Sequence, residues 1–154
     1  MKKITAEEHK VLSSALRAIN PLFADMWNKF EWMVFDEATE LAELEIHKAN
    51  FRIVANPDFW AECSEYKKLF VICHEMCHVM FAHWIIPEGV DREWSNVAQD
   101  VEVNEYLFKN FFDEDKLADA DLITIKGLFK HKENLVERDR NYKYYYHLIM
   151  RCLQ

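Results

Sequence analysis

Apolar positions recur along this chain with two different periods, and the alternation between them outlines the fold. From Thr5 to Asn20 the apolar residues Leu12, Ala15, Leu16 and Ile19 follow the i, i+3, i+4, i+7 spacing of one helical face. Thr5 and Glu8 form a capping-box pattern at its start, and Pro21 closes it. Leu22 to Lys29 reads as a second short helix. Trp32-Met33-Val34-Phe35 is a short apolar run of strand type. Ala42, Leu44 and Ile46 then alternate with Glu43, Glu45 and His47, which is strand periodicity, and Phe51 to Ala55 is a second such run. With Lys48-Ala49-Asn50 as the turn, the two form a hairpin, and Asn56-Pro57-Asp58 ends it.

Beyond the hairpin the pattern becomes helical again. Ser64 is a suitable N-cap for a long helix that reaches about Trp84, and Leu69 to Ile86 is apolar nearly all round, as for a buried helix. Pro87-Glu88-Gly89 breaks it. Arg92 to Lys109 predicts another helix with Val97, Val101, Asn104 and Phe108 on one side. Phe111 to Lys132, with its acidic clusters Asp113-Glu114-Asp115 and Asp119-Ala120-Asp121, predicts an irregular, exposed connection. A last helix starts near Asn141, with Tyr145, Leu148, Ile149 and Cys152 as its apolar stripe. No repeat, low-complexity tract or domain boundary interrupts the chain. The expectation is a single domain over residues 1–154, of α+β class, mainly helical, with a small antiparallel sheet or hairpin beside the long central helix.

Composition narrows this further. The chain has 154 residues, 51% of them hydrophobic, with only two glycines and three prolines. That suits a compact core with few linkers and argues against disorder. A net charge of −8 does not suit general nucleic-acid binding or an anionic membrane surface. The apolar stretch 69–86 is near the minimum length for a membrane span, but a glutamate and three histidines near its centre make that reading costly. No apolar signal segment follows the N-terminal Met-Lys-Lys, and Cys73 and Cys77 read as small core residues. A cytoplasmic location with free thiols is therefore expected.

The chemistry concentrates in His74-Glu75-Met76-Cys77-His78, an HExxH motif inside that apolar helix. Residues four apart share a helix face, so His74 and His78 can hold one metal ion together. Glu75, beside them, is placed to take a proton from the water that the metal activates. Cys73 to His78 also spells Cys-x-x-x-Cys-His, one residue longer than the c-type haem motif and inside a helix rather than an open loop. A structural zinc site using Cys73 and Cys77 is a stronger rival. The helical period, however, turns those cysteines about 100° from the histidine face.

A second polar feature follows. Asp100 and Asn104 are four residues apart and share a helix face with Val97 and Val101. A hydrogen-bonded Asp–Asn pair and a metal ligand are both open readings of that pair. Taken together, HExxHxxxxH from His74 to His83, the following Trp and the Ala98-x-Asp100-x-x-x-Asn104 pattern resemble the bacterial and phage zinc metallopeptidase domain often found N-terminal to a von Willebrand A-like domain. Asn56-Pro57-Asp58-Phe59 and the tyrosines before Leu148 are similar to further parts of that family's pattern.

The resemblance covers roughly residues 5–150, with its specific motifs between 56 and 104. It implies a zincin-like fold and peptidase activity. The absence of a von Willebrand-like segment suggests a stand-alone version of phage or mobile-element origin.

Zinc peptidases use three protein ligands. His83, five residues after His78, lies roughly 140° round a continuous helix and is out of phase with the pair, which points to a hydrogen-bonding role. Asp100, arriving from the next helix, is the third ligand expected, with Asn104 orienting it or a neighbouring backbone group, and Glu102 and Glu105 solvated. The resulting expectation is Zn²⁺ on His74, His78 and Asp100, with Glu75 as general base, acting on a peptide or protein substrate. Either strand of the hairpin could align that substrate. A zincin-like module that binds and blocks a partner without cleaving it is the competing class.

Overall fold

The computed structural model describes residues 1–117, 122–129, 136–138 and 140–152. The chain divides into two compact units, residues 1–76 and 77–154. The division falls within one continuous helix.

In the first unit, β1 (Lys2–Lys3) leads into α1 (Ala6–Ile19) and α2 (Pro21–Lys29). The Thr5 hydroxyl accepts from the Glu8 amide at 3.1 Å, as the capping pattern requires. Asn20 serves both helices. Its backbone N–H closes α1, its side chain accepts from the Leu22 amide, and Pro21 takes the first position of α2, where no N–H is needed. On the inner side of α1, His9 lies between the indoles of Trp32 and Trp27, at ring separations of 4.3 and 5.0 Å. Burial pushes its pKa down, so the ring packs as a neutral aromatic.

Then come β2 (Val34–Phe35), β3 (Ala42–His47), β4 (Asn50–Ala55) and α3 (Pro57–Glu62). The sheet order is β1-β2-β4-β3. β1 and β3 pair antiparallel with their neighbours, but β2 and β4 run parallel, so the sheet is mixed rather than antiparallel. β4 is internal, flanked by β2 and β3. Of the two hairpin strands, only β3 is therefore an edge. Ile46 on β3 is exposed, although it falls on the apolar side of the alternation.

The hairpin turn is tighter than expected. It consists of Lys48 and Ala49 alone, both at positive φ (51° and 61°), while Asn50 already pairs with His47. Asn56 ends β4 and also opens α3, its side chain accepting from the amides of Asp58 and Phe59. The sequence pattern predicted the strand end but not this helix.

The long helix α4 (Glu65–Met80) starts as expected, with the Ser64 hydroxyl accepting from the Lys67 amide at 3.1 Å. It ends four residues earlier than the apolar pattern suggests, and Trp84 and Ile85 are exposed rather than core. No helix among the described residues is long and apolar enough to cross a membrane.

The second unit is organised by α5 (Arg92–Asn110) and α7 (Tyr142–Cys152), which pack against each other. Ala98 and Val101 from α5 meet Tyr145 and Ile149 from α7, together with Phe129 and Val136, in one buried cluster. The connection contains a 3-10 turn (Glu114–Leu117) and the short α6 (Ile125–Leu128). The cluster Asp119-Ala120-Asp121 lies outside the described residues.

Glu105 is not solvated, as the sequence pattern suggested. It is buried, and both its carboxylate oxygens accept from Arg138, at 2.7 and 3.0 Å. That bond raises the Arg138 pKa. Arg138→Ala leaves a buried carboxylate without this bidentate partner. It is expected to lower stability by about 1–3 kcal/mol, towards the low end because Arg138 itself is largely exposed. Urea unfolding of the variant measures the loss.

Candidate metal centre

The segment Lys67 to Met80 contains neither glycine nor proline, so α4 carries the HExxH motif on regular helix. With 100° per residue, His74, His78 and Glu75 fall within one arc of about 100°. Their ligand atoms all lie within 4.8 Å of one another, a spacing at which one metal ion can be held. The Phe70 ring sits one turn before His74, 6.1 Å from it. Glu75 is buried, and both histidines are partly buried.

The cysteines do not join this group. All four are free thiols, with Cys73 and Cys77 buried. Burial, together with the negative charge of Glu102, pushes the Cys77 thiol up to about 12, so it stays protonated and packs as a small apolar group.

The end of α4 decides where His83 goes. Ala82 adopts the left-handed conformation, with φ +55°. The amide of His83 then donates to the carbonyl of His78 at 2.8 Å, and the amide of Ala82 to that of Val79 at 3.0 Å. These bonds make a Schellman cap, a motif usually built on glycine. An alanine there costs roughly 1–2 kcal/mol.

The cap folds His83 back onto the helix end. Its Nδ1 lies 2.9 Å from Nδ1 of His78, although the two residues would be out of phase on a continuous helix. The phase argument from sequence fails because the chain breaks the helix without the glycine that normally signals a break.

Helix α5 supplies the acidic partners. Its N-cap is Asp91, which accepts from the Trp94 amide. Asp100 Oδ1 lies 3.1 Å from His78 Nε2. Glu102 Oε1 lies 2.5 Å from Nε2 of the buried His83. Glu102 is thus drawn in beside a histidine, not solvated as its helical position suggested. Gln99 donates to the carbonyl of His83 at 3.3 Å, and the Tyr142 ring meets His83 edge-on. Asn104 donates to the carbonyl of Ile123 at 2.8 Å, so it holds a backbone group.

His78 thus sits between Asp100 on one ring nitrogen and His83 on the other. An imidazole nitrogen and a carboxylate oxygen facing each other at this distance can share a cation. The donor set of two histidines and carboxylates suits zinc.

A family model described as "Putative metallopeptidase domain" matches residues 22–145 of the chain, which include the whole of α4 and α5. Neither curated proteins nor solved structures gave a significant match.

Proposed function

The chain belongs to this metallopeptidase-domain family, and from that premise we propose that it hydrolyses peptide bonds, with Zn²⁺ held by His74, His78 and Asp100 and with Glu75 as general base. The observation that carries the reading is the clustering of the His74, Glu75 and His78 ligand atoms on one helix. The approach of Asp100 to His78 supports the choice of third ligand. A zincin-like assignment of the α+β fold is part of the same proposal.

Bound at these residues, Zn²⁺ supplies Lewis-acid polarisation of the attacking water and of the scissile carbonyl. The chain's own groups do the rest. Glu75 accepts a proton from the water on its carboxylate and delivers it to the nitrogen of the departing amine. The substrate lies along β3, whose outer edge is unpaired within the sheet, so that an extended peptide adds as a further strand. The site is read as working in the cytoplasm on a peptide or protein.

The test is metal analysis of protein purified without chelators, followed by incubation with a proteome-derived peptide library. About one zinc per chain, and cleavage that a chelator stops and added zinc restores, is the expected result. Zinc without cleavage across the library would favour a module that binds a partner without cutting it. Protein that takes up no zinc would sink the reading altogether.

A further inference from the structure

We propose that Glu102 and His83 are positioning residues that fix the tautomer of His78, keeping its Nε2 unprotonated where it faces Asp100. This rests on the metal-site reading above and adds to it two residues that act through His78.

The argument follows the direction of each hydrogen bond. An ionised carboxylate only accepts, so at 2.5 Å the proton between Glu102 and His83 belongs to His83 Nε2. A neutral imidazole carries one N–H, which leaves His83 Nδ1 as an acceptor. Nδ1 of His78 lies 2.9 Å away and must therefore be the donor. With its proton on Nδ1, His78 presents a lone pair at Nε2, the nitrogen that faces Asp100 at 3.1 Å. The Asp100 carboxylate also only accepts, so this tautomer sets two lone pairs facing each other across 3.1 Å, an arrangement that a cation bound between them satisfies. Outer hydrogen-bonding partners commonly orient a metal-binding histidine in this way, usually through one carboxylate or carbonyl. Here a second histidine stands between the carboxylate and the ligand.

The surroundings hold the relay in place. His83 is buried, its backbone is fixed by the Schellman cap, and Gln99 and Tyr142 pack on its other sides. Glu102 is mostly buried, and its carboxylate meets His83 Nε2 at 2.5 Å.

The experiment uses the full chain and zinc alone. Nitrogen-detected NMR of the zinc-loaded wild type should show His78 bound through Nε2 with its proton on Nδ1. Competition with a chelator should show that Glu102→Ala weakens zinc binding by roughly 10–100-fold. Glu102→Gln, whose amide oxygen can still accept from His83, should recover most of that loss.

Coordination of His78 through Nδ1 would overturn the inference. So would unchanged zinc affinity in Glu102→Ala, or a Glu102→Gln variant as weak as the alanine. These outcomes leave the metal site standing, whereas a wild type that binds no zinc overturns both. The wild-type spectrum decides the point even if the alanine variant does not fold.

Discussion

Glu75→Gln is expected to bind zinc within a few-fold of the wild type while losing peptide hydrolysis by roughly 10²–10⁴-fold, the usual contribution of a positioned general base. Glutamine keeps the shape of the side chain in its buried position on α4 but cannot take the proton. The prediction separates the two roles open to Glu75. Its carboxylate lies close enough to the histidines to serve as a ligand itself. If Glu75 held the metal, the amide would weaken zinc binding along with activity. Zinc titration and peptide cleavage on the same preparation distinguish the cases, and hydrolysis at full rate in the variant would exclude Glu75 as the base.

The second large effect concerns Asp100. Asp100→Ala should weaken zinc binding by more than the roughly 10–100-fold typical of outer partners. The change removes the carboxylate that meets His78 Nε2 and leaves the histidine pair one protein ligand short. The comparison with Glu102→Ala gives the measurement its meaning, because the two residues stand on the same helix and meet neighbouring histidines. A larger loss at 100 than at 102 identifies a ligand and its support. The reverse order, or zinc coordinated by His83, would transfer the ligand role away from Asp100.

The parts of the fold that were legible in the sequence are those with a period or a cap. Helices α1, α5 and α7 and the strands β3 and β4 lie close to where the apolar spacing puts them. The HExxH motif, with three fixed positions on an apolar helix, marked the residues whose ligand atoms cluster on α4. The family match over residues 22–145 agrees with the resemblance carried by those motifs.

What could not be read has specific causes. The hairpin turn uses Lys48 and Ala49 at positive φ, where Asn-Gly is the usual signal. The α4 cap uses Ala82, so an apolar run that continues past Met80 concealed the end of the helix. Helical phase then assigned His83 to the wrong direction and left Glu102 with no apparent partner. Both errors follow from one residue in a conformation that its side chain disfavours. Arg138 reaches Glu105 from 33 positions away, a distance over which periodicity carries no information.

Asp100 and Glu102 are two positions apart on α5, which places them about 200° apart around its axis. Each nevertheless meets a histidine, and those histidines are only five residues apart in the chain. The fold-back at Ala82 lets such a short segment reach both flanks of the helix. A cylinder gripped on one flank can roll, whereas one gripped on both flanks cannot, because any turn that closes one contact opens the other. The angular setting of α5 about its own long axis is thus locked by the two histidines, and with it the direction in which Asp100 points.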